Sequence, residues 1–163
     1  LPSLHLQADS GLESMLATRP SLGLDARTPL AATPALAGLT AHDLEVMIRD
    51  GVVRPSPDGG LDPLNLAICR AWGRAKAAGF SEENGWFPED LRIYPEAIDA
   101  MARREIERFY TRISGSMGVE EAAQLGQAGI ETINEILTLL RTRALLAWAA
   151  DVNARLGGAP DSA

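Results

Sequence analysis

The sequence is short of several things that would narrow its function at once. It has one cysteine, Cys69, in 163 residues. No internal disulfide can form, and a disulfide-stapled small fold is excluded. Cys69 lies in an apolar run, so a buried thiol is expected rather than a reactive one. The two histidines, His5 and His42, lie far apart. With one cysteine they give no metal-ligand spacing, and no cofactor is expected. Aromatic residues make up 5% of the chain while alanine is abundant, which favours helices over a β-sandwich. Positive charge is scarce: 15 Lys/Arg stand against 22 Asp/Glu, a net charge of -7. That argues against a purely electrostatic nucleic-acid binder but leaves room for one basic face. No apolar run reaches the roughly 18 residues of a membrane span. The richest, ILTLLRTRALLAWAA, is broken by Arg141 and Arg143. No signal-peptide pattern is seen, no membrane partner is expected, and the composition fits the cytoplasm.

What is present is helix punctuation. The length suits one small domain plus a helical appendage. Residues 1–27 read as an arm or a short helix around Leu12–Ala17, and the organised chain begins at Thr28. In TPLAATPALAG, Pro34 forbids one long helix, so a short or broken one should end at Gly38. LTAHDLEVMIRDG reads as a cleaner helix. Thr40 is its N-cap, Asp43 holds the capping-box position, Leu44, Met47 and Ile48 form the apolar face, and Gly51 ends it. VVRPSPDGGL then runs extended into a glycine turn. It fits a two-stranded hairpin or an irregular loop.

Asp62 and Pro63 open the next helix, whose apolar stripe is Leu64, Ala67, Ile68, Ala71, Trp72 and Ala75, with Gly79 as its stop. A connector over residues 82–94 precedes an amphipathic helix with Ile98, Met101, Ala102, Phe109 and Ile113 inward. A last helix spans Val119 to Arg155 and carries more apolar residues than one face can hold. A helix apolar on two sides is buried on two sides, which points to a homodimer through Ile130, Ile133, Leu137, Leu140, Ala144 and Trp148. Gly126 and Gly129 inside this helix fit either a kink or close approach by another group.

The run from Leu39 to Ser81 resembles the MerR-type winged helix-turn-helix. The residues that carry the likeness are IRDGVV, RPSPDGG and RAKAAGFS, in that order and at that spacing, over about a third of the chain. The resemblance implies a mainly helical, all-α fold with a small β wing at residues 28–81, followed by long dimerising helices within residues 95–163. It implies a transcriptional regulator that binds double-stranded DNA and senses an effector through its helical region. The architecture is also similar to the sensory segment in front of some class III adenylate cyclases. That likeness implies a module that relays a signal to a fused or partner domain without touching DNA. The sequence departs from the DNA-binding pattern at Glu45, Val46 and Met47, where Arg and aromatics are usual. It departs again at Leu61 and Asp62 after the wing glycines, and at Pro34 in the first helix.

The cations left for phosphate contact are His42, Arg49, Arg54, Arg70 and Arg74. Most of the chain's rings, Trp72, Phe80, Trp86, Phe87, Tyr94, Phe109 and Tyr110, gather around the junction between module and long helices. They form either core or a site for a small apolar effector, with Gly126 and Gly129 at its edge. Catalysis is not expected. There is no P-loop or GxGxxG, no triad context for either histidine, and the pairs Glu82-Glu83 and Glu89-Asp90 sit in connectors as solvated surface.

Overall fold

The computed structural model describes residues 26–113 and 116–157. The arm expected over residues 1–27 lies outside the described residues except for its last two. Helices dominate, and the chain divides into two compact units, Leu1–Ser116 and Met117–Ala163. No helix among the described residues is long and apolar enough to cross a membrane.

The first unit opens with strand β1, Thr28–Pro29, and a 3-10 turn, Leu30–Ala32. Helix α1 follows, Thr33–Ala37, with Pro34 in its first turn. Thr33 is buried and its hydroxyl donates to the Pro29 carbonyl at 3.1 Å, which fastens the helix to the strand. Gly38 turns left-handed at φ 69° and ends α1. Helix α2, Ala41–Arg49, starts on the expected capping box. The Thr40 N–H and hydroxyl both donate to Asp43 Oδ2 at 2.8 Å, and the Asp43 N–H donates back to Thr40 Oγ1 at 3.0 Å. Lys76, two elements downstream, also pairs with Asp43 Oδ2.

After Gly51 the chain runs through the Pro-rich loop to strand β2, Gly60–Leu61. The partner of β2 is β1, antiparallel, with Thr28 opposite Leu61 and Pro29 opposite Gly60. The Val52–Pro55 limb does not form the second strand that the hairpin reading required. Pro55 and Pro57 have no N–H for a ladder. The loop instead holds itself through the Ser56 N–H to Gly60 carbonyl bond at 2.8 Å, and Arg54 N–H donates to Asn65 Oδ1 at 2.8 Å.

Helix α3, Pro63–Ala77, is capped by Asp62, which accepts from Asn65 N–H at 2.8 Å. Its buried face is Leu66, Cys69, Trp72 and Gly73. This corrects the expected stripe, of which Leu64 and Ile68 are 59% and 41% exposed. The helix is apolar over more than one face, and the face that wins the core is the one whose glycine admits α1. A Cβ built on Gly73 would lie 1.8 Å from the Ala37 carbonyl oxygen, so the two backbones touch there. Ala37, Leu44, Met47, Val53, Leu61, Cys69 and Trp72 make up the core.

Beyond Gly79 come two 3-10 turns, Glu82–Asn84 and Pro88–Arg92. The second rests on α2 and places Leu91 against the core. Helix α4, Ile93–Ile113, buries none of its side chains. The expected inward set is therefore corrected: Ile98 is 51% exposed, Ala102 is exposed, and Met101, Phe109 and Ile113 are only half-buried.

Among the described residues, the second unit holds one helix, α5, Val119–Gly157, of 39 residues. It runs unbroken through Gly126 and Gly129, and a Cβ on Gly129 would meet open space, so Gly129 marks neither a break nor a close approach. The first half of α5 carries Glu120, Glu121, Glu131 and Glu135 without a basic residue. The second half carries Arg141, Arg143 and Arg155 against Asp151 alone.

Candidate functional site

The second apolar face of α3 does not go unused. Ile68, Ala71, Trp72 and Ala75 form one wall of a groove of about 1070 Å³. Phe80 and Trp86, packed at 5.0 Å with their planes tilted by 57°, form its end. The turn that follows Gly79 sets that pair, because the Phe80 N–H returns to the Ala75 carbonyl and the Trp86 N–H to the Ser81 carbonyl, both at 3.0 Å. Leu91, Ile93, Tyr94 and Ile98 supply the opposite wall from the 3-10 turn and the start of α4. Every lining residue falls between Gly51 and Asp99, so Gly126 and Gly129 belong to the other unit.

Of the seven rings expected to meet at a site, the structure brings Trp72, Phe80, Trp86 and Tyr94 together. Phe87 stands outside the lining, and Phe109 and Tyr110 lie further along α4, edge-on to each other at 6.0 Å. Trp72 belongs to both core and groove. It is 7% exposed, and its indole Nε1 is buried without a hydrogen-bond partner. An unmet buried donor costs about 1–3 kcal/mol.

The groove's rim is charged, and each charge has a neighbour of opposite sign or a backbone partner. Arg54 pairs with Asp99 of α4. Arg49 chelates Asp50 through Nε and Nη2 at 2.7 and 3.1 Å and reaches Glu89 at 3.5 Å. The hydrogen bonds that Arg49 donates to Asp50 hold its guanidinium above its ordinary value, and the same bonds hold Asp50 below the usual carboxylate range. Asp90 accepts from the Phe87 N–H at 2.9 Å, and Arg92 lies close enough to Asp50 to help lower it.

The candidate phosphate-binding cations are thus divided. His42 and Arg49 sit exposed on α2 with Glu45 between them on the same side. Arg54 follows in the loop. Arg70 and Arg74 are exposed one turn apart on α3 and carry no ion pair among the described residues. Sequence reasoning set Glu89 aside as solvated connector surface and did not single out Asp99. No local signal marks either one, since their arginine partners lie 40 and 45 residues away.

On α5 the expected contact stripe is open. Ile130, Ile133, Leu140, Ala144 and Trp148 are exposed, and Leu137 is half-buried. Leu139, Leu146 and Leu156 are exposed off that stripe, at more than 60% each.

No protein-family profile, curated protein or solved structure matches this chain.

Proposed function

We propose that this chain is a dimeric transcriptional regulator of MerR-like type, in which a winged helix-turn-helix meets double-stranded DNA and the helical region senses an effector. The observation that carries the reading is the pairing of β1 with β2. It encloses two short helices and a Pro-rich loop between paired strands, with a further helix directly behind, and that order supports a winged-helix reading although the loop itself forms no hairpin. In this reading α2 is the recognition helix, the loop from Val52 to Gly59 is the wing, and α5 joins two copies. His42, Arg49, Arg54, Arg70 and Arg74 contact phosphates, which fixes position on the duplex without reading bases. The ion pairs on Arg49 and Arg54 do not forbid this. Exposed pairs are worth about 0–1 kcal/mol, and a phosphate can replace the carboxylate.

A mixed pool of genomic DNA fragments, offered at low and near-physiological salt, tests the reading. A few fragments should be retained at the higher salt. Arg49→Ala with Arg54→Ala should weaken retention and flatten its salt dependence by about one counterion per lost contact. Retention unchanged by both substitutions would remove α2 and the wing from the interface.

A second reading has its own observation. Both wing-side arginines already hold carboxylates, and Glu45 stands exposed between His42 and Arg49 on the recognition helix. These features suit a sensory module with a degenerate winged helix that relays a signal to a fused or partner domain. Absence of retention even at low salt would favour it.

A further inference from the structure

Six large apolar side chains that the fold leaves exposed, Ile68, Phe80, Trp86, Ile93, Tyr94 and Ile98, line the groove between α3 and α4. Exposed apolar residues scattered singly are ordinary, but six that line one concave surface of about 1070 Å³ mark a place for a guest. The charges along the groove specify that guest. Three carboxylates line it, and each already holds a donor: Asp99 takes Arg54, Glu89 takes Arg49, and Asp90 takes the Phe87 N–H. Of the two lining guanidiniums, Arg54 is paired, whereas Arg92 makes no hydrogen bond or ion pair among the described residues. The charge of Arg92 is felt at Asp50, but Arg49 already donates to both oxygens of that carboxylate. A guanidinium presents a planar fork of donors that matches a carboxylate. One open fork takes one carboxylate, and a second negative charge on the guest would face a lining in which acids outnumber bases.

We infer that this groove binds an apolar monocarboxylic acid in its ionised form, with the hydrocarbon body among the exposed apolar side chains and the carboxylate on Arg92. The inference rests on the reading that the chain senses an effector, and it assigns that role a place and a chemistry. Arg92 ends the 3-10 turn that rests on α2. The guest's charge is therefore placed near Asp50, the C-cap of the helix read as the recognition helix.

The test offers the full chain three probes that share a ring system and differ in charge: naphthoate, naphthamide and naphthylmethylammonium, near neutral pH and at low salt. In equilibrium dialysis naphthoate should bind saturably at one per chain and about tenfold more tightly than naphthamide. Added salt should shrink that preference. Arg92→Gln should remove it and leave naphthamide unchanged, while Arg92→Lys should keep part of it. Ala71→Trp, at an exposed lining position of α3, should block all three probes. The order of the probes is read on the unaltered protein and needs no variant to fold. Naphthamide binding as tightly as naphthoate would overturn the assignment to Arg92. The ammonium probe binding tightest would overturn it too, and would give the groove to cations through its carboxylates. Saturable binding of none would remove the groove as a small-molecule site. DNA retention is measured without these probes, so it decides the regulator reading separately.

Discussion

Asp43 concentrates three donors on one oxygen: the Thr40 N–H, the Thr40 hydroxyl and the Lys76 ammonium all meet Oδ2, while Oδ1 is buried with no partner. Burial alone would raise this carboxyl, but the Lys76 and Thr40 hydrogen bonds outweigh it and hold the group below its ordinary 3.8. The sign of the linkage follows. A carboxyl whose folded value is depressed stabilises the fold fully above its unfolded value, and that stability is lost as pH falls through the folded value. Urea unfolding of the intact chain should therefore show a midpoint that is flat above pH 5 and drops below about pH 4. Asp43→Asn should lower the stability at neutral pH by about 2–4 kcal/mol, moving the midpoint down, and blunt the acid drop. An acid limb of unchanged depth in Asp43→Asn would assign the loss to other carboxylates. The capping half of this arrangement was legible in the sequence, as Thr40 followed three residues later by Asp43. The Lys76 half was not, since a contact across 33 residues leaves no local pattern.

At the scale of elements, punctuation was the most legible feature. Thr40, Asp62, Gly38 and Gly79 begin or end helices where their backbone chemistry says they should, because caps act within a few residues. Faces were less legible. Alpha-helix α3 offers two apolar stripes, and only the contact of Gly73 with Ala37 decides which one enters the core. The strand β1 was missed altogether, because two residues ending in proline have no periodicity to read. Four of the seven rings meet at the groove, since they sit on α3, the turns just after it and the start of α4. The pairing of Glu89 and Asp99 with arginines was not legible because the partners are distant in sequence. One of them gives a prediction at this scale. Asp99 of α4 occupies the guanidinium of Arg54, and on the regulator reading Asp99→Asn should free it for phosphate. Retention of DNA at low salt should rise a few-fold, and its salt dependence should steepen by about one counterion. Unaltered retention would show that the pair is too weak to compete with phosphate.

For the whole molecule, α5 is the element whose apolar stripe stands uncovered. Its stripe from Ile130 to Trp148 is left exposed, together with Leu139, Leu146 and Leu156. Exposed apolar surface on that scale marks an association surface. Replacing Leu137 and Leu140 with Glu should halve the mass measured by light scattering or abolish the folded helix. An unchanged dimer mass would place the contact elsewhere. The split of charge along α5 would give the proposed association a direction. Each rod has an acidic front half and a net basic rear half. Two rods lying front to rear attract, and dissolved salt loosens them; two lying front to front repel, and salt tightens them. The ionic strength at which the mass falls or rises thus reads polarity: a dimer that comes apart in salt is one whose two chains point in opposite directions.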